Sequence, residues 1–146
     1  HEGQRASTLS GLLADLLAPY GSAEEDRFSV TGPGIEIGAR AATPLALIFH
    51  ELATNSAKYG ALSCPEGHLT VTVEEECEGG GEGSVCVSWE EQASSCADPD
   101  KSEHEGFGSR LLRMAVEGQL GGTFERTFSA DGLDVRIVFP RKSIEN

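Results

Sequence analysis

Ala41-Ala42-Thr43-Pro44-Leu45-Ala46-Leu47-Ile48-Phe49-His50-Glu51-Leu52-Ala53-Thr54-Asn55-Ser56-Ala57-Lys58-Tyr59 reads as one amphipathic helix, and the rest of the chain is arranged around it. On a helical wheel Leu45, Phe49, Leu52, Ala53 and Ser56 fall on one side and form the core stripe. Glu51, Asn55 and Lys58 fall on the other, within an arc of about 60° at about 100° per residue. A carboxylate, an amide oxygen and an ammonium thus share one wall. The oxygens suit a hard cation such as Mg²⁺, and the ammonium suits a phosphate. The same spacing also suits a solvated face with i,i+4 pairing of Glu51 with Asn55 and of Asn55 with Tyr59.

Upstream, Leu9, Leu12, Leu13, Leu16 and Leu17 repeat at helical spacing, and Pro19 with Gly21 ends that helix. Arg27–Thr31 alternates, Gly32-Pro33-Gly34 turns, and Ile35 and Ile37 alternate again, as two short strands or one broken one. Downstream, Leu69–Glu75 and Ser84–Glu91 are strands joined by the flexible Glu78–Gly83 loop. Val71 and Val73 share one face of that pair, and Val85, Val87 and Trp89 share another. Gln92–Glu105 is polar and aperiodic, the character of a lid. A third helix runs from Gly108 to about Leu120, with Leu111, Leu112, Ala115, Val116 and Gln119 on its stripe. Thr123–Phe128 and Leu133–Phe139 make a hairpin around Asp131-Gly132, and Arg141–Asn146 reads as a frayed tail. Strands in pairs between helices give an α+β fold, with a mixed, mostly antiparallel sheet and helices on one face.

The 146 residues suit a single domain with one core. Apolar residues make up 38% and charged residues 24%, which excludes a disordered chain. The longest apolar run, Leu45–Phe49, is far too short to span a bilayer, and no direct membrane contact is expected. His1-Glu2-Gly3-Gln4 has no signal-peptide character, and the chain is expected to be part of a longer one. Eleven Lys and Arg against 24 Asp and Glu leave a net charge of −13, which excludes nucleic-acid binding through a basic face. Cys64, Cys77, Cys86 and Cys96 include no C-x-x-C pair and no histidine at zinc-finger spacing, which argues against a metal site; their even number permits disulfides, but without a secretion signal free thiols in a reducing cytoplasm are expected.

Two further stretches carry chemistry. Gly106-Phe107-Gly108-Ser109 ends the polar loop and opens the third helix, where glycines let backbone N–H groups approach an anion. Glycine before a helix is also ordinary capping. Trp89-Glu90-Glu91 closes a strand, and a carboxylate there suits an exocyclic amine. It equally suits an aromatic core residue followed by two surface acids.

His50-Glu51-Leu52-Ala53-Thr54-Asn55-Ser56-Ala57-Lys58-Tyr59-Gly60-Ala61-Leu62-Ser63 resembles the N box of bacterial sensor histidine kinases, in the form found in the HWE subfamily. That subfamily takes its name from the N-box histidine, here His50, and a W-x-E pair, here Trp89 and Glu91. Gly106-Phe107-Gly108-Ser109-Arg110-Leu111-Leu112 is similar to its second glycine box, and Gln119-Leu120-Gly121-Gly122 with Asp131-Gly132-Leu133 to its C-terminal hairpin.

The resemblance implies a catalytic and ATP-binding domain of the Bergerat type, a two-layer α/β sandwich shared with gyrase and heat-shock-chaperone ATPases. On it, residues 1–146 are one such domain, and the sensor and the phosphoacceptor dimerisation domain lie upstream. Asn55 is expected to hold Mg²⁺ on the ATP phosphates, and Lys58 to contact phosphate. Tyr59 lies near the phosphate or the adenine. Glu51 is expected to polarise the attacking group or accept its proton. His50 marks the family, either orienting the reacting groups or packed and hydrogen-bonded. Trp89 and Glu91 belong to the adenine site, with Glu91 reading the amine. Gly106, Gly108 and Ser109 belong to the phosphate loop. The implied partners are the chain's own dimerisation domain and the receiver domain of a response regulator.

The chain departs from the family twice. Gln92-Ala93-Ser94-Ser95 stands where glycines usually follow the W-x-E glutamate, and none of His1, His50, His68 and His104 has the phosphoacceptor context. A serine-directed kinase of the same fold and a docking module that no longer binds ATP are the two rival readings.

Overall fold

A computed structural model describes residues 8–21, 27–64, 66–77, 83–92, 107–129 and 132–145. The central helix, α2, spans Ala39–Tyr59 with Gly38 as its N-cap. It buries Ala41, Pro44, Leu45, Ile48, Phe49, Leu52, Ala53 and Ser56, the stripe its periodicity predicts. Before it come α1 (Leu9–Leu17), whose N-cap Thr8 accepts from Gly11 N–H, and β1 (Phe28–Thr31). After it come β2 (His68–Glu75), β3 (Ser84–Gln92), α3 (Phe107–Arg113), β4 (Thr123–Ser129), β5 (Gly132–Pro140) and α4 (Arg141–Glu145). The strands form one sheet in the order β1-β2-β3-β5-β4. β1 and β2 are parallel and every other pair is antiparallel.

One face of the sheet is apolar. Leu69, Val71, Val73, Val85, Val87, Trp89, Phe124, Val135, Ile137 and Phe139 form one buried cluster with the apolar stripes of the helices. Trp89 stacks on Phe49 of α2 with ring centroids 6.2 Å apart. On the other face Ser88, Glu90, Glu125, Thr127, Asp134 and Arg136 line a polar groove. The layers are therefore helices over one side of a mixed sheet, as the sequence predicts.

Several local expectations are corrected. Val71 stands opposite Trp89, and Val73 opposite Val87, so these side chains share one face rather than two. Ile35 and Ile37 are buried but form no strand; Glu36 makes an isolated bridge with Thr8. The third helix changes pitch, because Met114–Gln119 continues α3 as a π-helix in which Leu120 N–H donates to Ala115 O. The wider turn advances the stripe by one residue. Leu120 enters the core where Gln119 was expected, and Met114 is left 64% exposed.

Nor are the described cysteines free thiols. Cys77 and Cys86 are joined by a disulfide across the end of the β2–β3 hairpin, Cα atoms 6.1 Å apart, and Cys64 is also disulfide-bonded. The ladder brings Cys86 alongside Glu74, three residues before Cys77, a proximity that spacing along the chain does not show. The lid assigned to Gln92–Glu105 lies outside the described residues, apart from Gln92 at the end of β3.

The tail is ordered rather than frayed. Ile144 of α4 is fully buried, and its carbonyl accepts from Gly38 N–H at 2.9 Å, at the start of α2. Five residues are too few for a helix to persist alone, so tertiary packing holds it. Ile144→Ala should therefore cost about 2–5 kcal/mol of folding stability, measured by urea denaturation. A loss within error of zero would restore the frayed tail.

Candidate functional site

The wall predicted on α2 is present. Glu51 and Asn55 are half-buried on successive turns, and Lys58 and Tyr59 are exposed in the last turn, where a cation also complements the helix dipole. His50 is exposed, so it is not a packed core histidine. One position before Glu51 on the helix, it is turned about 100° away from it.

Across from the end of α2, β3 delivers a buried carboxylate. Glu91 is 4% exposed, and both of its oxygens are engaged. Ser56 Oγ and Ala61 N–H each donate to Oε1 at 3.0 Å, and the Trp89 indole N–H donates to Oε2 at 2.8 Å. Residues 89 and 91 share a face of β3, which is what lets the indole reach the carboxylate. Ser56 Oγ in turn accepts from Leu62 N–H at 3.2 Å. A Cβ at Gly60 would collide with Glu91 Oε1, so the glycine of Lys58-Tyr59-Gly60-Ala61 leaves room for the carboxylate. Gly132, at φ +155°, leaves the same kind of room for the Glu91 carbonyl from β5.

The turn after α2 is held from its other side by Arg27. Its guanidinium Nη2 donates to Ala61 O at 3.4 Å, Leu62 O at 3.2 Å and Cys64 O at 2.8 Å. The amide side of this turn thus meets an acid, and the carbonyl side meets a base. Burial raises the Glu91 pKa, while the hydrogen bonds from Trp89, Ala61 and Ser56 lower it. Burial dominates.

Glu51, Asn55, Lys58 and Tyr59 therefore share the C-terminal half of α2, and Glu91 meets that half from its core side, through Ser56. Trp89 is fully buried and offers no surface to a ligand; its polar atom faces Glu91. Gly108 and Ser109 lie in the first turn of α3, and Gly106 lies outside the described residues. Arg27, Gly60 and the polar role of Ser56 are not foreseen from sequence. The one available signal was a hydroxyl within an otherwise apolar stripe, since a buried hydroxyl needs a partner.

No protein-family model matches the chain. Over 137 residues, 94% of its length, the chain is 34% identical to blue-light-activated histidine kinase 1 of Erythrobacter litoralis. It spans only 37% of that relative and 28% of the Brucella ovis blue-light-activated histidine kinase. The histidine kinase domain of the Erythrobacter litoralis EL346 blue-light-activated kinase superposes with a TM-score of 0.69 at 19% identity, covering 94% of this chain and 64% of that one. The ATP-binding domain of PrrB from Mycobacterium tuberculosis gives 0.62 at 17% identity, covering 91% and 93%. The fold is thus that of histidine kinase catalytic domains. The chain itself is a homologue of the blue-light-activated histidine kinases over the part it shares with them.

Because the folded Glu91 pKa lies above the ordinary value of 4.5, folding favours the protonated acid. That stabilisation is complete below 4.5 and is lost as pH rises through the folded value. Relative to a Glu91→Gln variant, the chain should therefore lose stability as pH rises above 4.5, measured by urea denaturation. A pH-independent difference between the two would show that the carboxylate is not desolvated.

Proposed function

We propose that this chain is the ATP-binding catalytic domain of a two-component sensor histidine kinase of the HWE subfamily. It presents the ATP γ-phosphate to a histidine on the parent protein's dimerisation domain. The observation that carries this reading is the polar wall of Glu51, Asn55 and Lys58 on the solvent side of α2, in a homologue of histidine kinases, with Glu91 bound to the core side of the same helix. Phosphoryl transfer depends on positioning and charge neutralisation more than on covalent help from the protein. These residues suit that division of labour.

A Mg²⁺ ion on the nucleotide phosphates would keep much of its oxygen shell, so one protein oxygen would suffice to hold it. The half-buried Asn55 amide oxygen fits that part. When bound, the ion neutralises charge on the phosphates. Lys58, exposed on a flexible stem at the helix end, supplies a mobile positive charge for them. Glu51, one turn before Asn55, accepts the proton of the attacking imidazole or orients it. Tyr59 borders the nucleotide, and His50, turned aside from Glu51, orients the incoming group from its flank. Backbone N–H groups around Gly106, Gly108 and Ser109 approach the phosphates. Glu91 accepts from the adenine amine. The phosphoryl group then passes to the receiver domain of a response regulator. No helix among the described residues is long and apolar enough to cross a membrane.

Asn55→Ala should remove the Mg²⁺-dependent part of ATP affinity while leaving the fold intact, checked by isothermal titration with and without Mg²⁺. Unchanged affinity would remove Asn55 from the site, and no ATP binding by the unmodified chain would favour the docking module. The guanine carbonyl would set acceptor against acceptor at Glu91, a mismatch of about 1–3 kcal/mol. ATP should therefore bind about tenfold or more tightly than GTP. Glu91→Gln, which offers an amide donor, should bring the two close to parity.

A further inference from the structure

A carboxylate has about four acceptor directions, two on each oxygen. In Glu91 both directions on Oε1 are taken, by Ser56 Oγ–H and Ala61 N–H, and one on Oε2 is taken by the Trp89 indole. Among the described residues no donor takes the second direction on Oε2. None of the three donors is free to turn away. Ala61 N–H belongs to the backbone of a turn held by Arg27. The Ser56 hydroxyl commits its one hydrogen to Glu91 while accepting from Leu62 N–H, which sets its orientation. The Trp89 indole is fully buried and stacked on Phe49, so the core sets the direction of its N–H.

We infer that Trp89 and Ser56 are positioning residues for base selection: they lock the Glu91 carboxylate so that a single acceptor direction, on Oε2, is left for the purine edge. The inference rests on the adenine-reading role of Glu91 proposed above. Trp89 acts without touching the nucleotide. A carboxylate free to rotate, or one hydrated through a second open lone pair, could meet a guanine carbonyl through a bridging water. The locked one offers an acceptor alone, in one place, which matches a donor such as the adenine amine and opposes a carbonyl. The W-x-E pair and the N-box serine are then one selectivity device assembled from two elements 35 residues apart.

Trp89 is the only tryptophan in the chain, so replacing tryptophan biosynthetically with 3-benzothienylalanine changes this position alone. The substitution keeps the shape of the bicyclic ring and removes the N–H donor. Ser56→Ala removes a second donor at small cost in volume, and Ser56→Thr restores the hydroxyl. The Kd values of ATP and GTP would be measured with Mg²⁺ for each. The benzothienyl chain and Ser56→Ala should each reduce the ATP preference by about tenfold, through a lower Kd for GTP, with the preference regained in Ser56→Thr. If both keep the full native preference while Glu91→Gln loses it, the positioning role is wrong and the adenine reading survives. If ATP and GTP weaken equally, Trp89 and Ser56 serve packing only, and the inference fails. If the unmodified chain shows no preference for ATP, the adenine reading itself fails and this inference with it.

Discussion

The buried carboxylate of Glu91 is the constraint around which the rest of the structure is arranged. An acid enclosed at 4% exposure is tolerable only if its oxygens are matched by donors, and three are supplied, by Ser56 of α2, Ala61 of the turn after it and Trp89 of β3. Meeting that demand fixes the end of α2 against β3. It also dictates chemistry nearby: a hydroxyl at Ser56 inside an apolar stripe, a residue without a side chain at Gly60, and an indole rather than a phenyl ring at Trp89. Replacing one of these alone leaves a buried polar atom without a partner, which costs more than the hydrogen bond itself contributes.

With that end of α2 fixed, the opposite side of the same helix is available for work. Core residues and site residues share one helix of 21 residues and differ only in direction around it. Leu45, Phe49 and Leu52 face the sheet while Glu51 and Asn55 do not. The homology to histidine kinases then has a physical basis in this chain. The most distinctive run of sequence is also the run that must satisfy packing on one side and polar chemistry on the other.

The helical wheel of α2 made most of the site legible, because periodicity within one helix sorts residues by direction without reference to anything distant. The two hairpins were legible for the same reason, from local alternation around a turn, whereas the β1–β2 and β3–β5 pairs were not. What stayed hidden depends on contacts far apart in sequence. The shared face of Val71 and Trp89 follows from register, which neither strand encodes alone. The Cys77–Cys86 bridge needs the hairpin closed. The donors of Glu91 lie 30 and 35 residues back, and Arg27 is a lone cation with nothing local to mark it. Leu120 replaces Gln119 in the core because a π turn breaks the assumed repeat. Ile144 was a single apolar residue in a polar tail, too little pattern to suggest burial.

The hydrogen bond from Gly38 N–H to Ile144 O has a mechanical meaning. It ties the first turn of α2 to the chain's last helix, while Glu91 ties the last turn to the sheet. A rod clamped at both ends can neither slide along its axis nor roll about it without breaking one clamp. The polar wall on α2 is therefore a fixed anvil. Whatever travel is needed to bring two reacting groups together must be supplied by whatever approaches it.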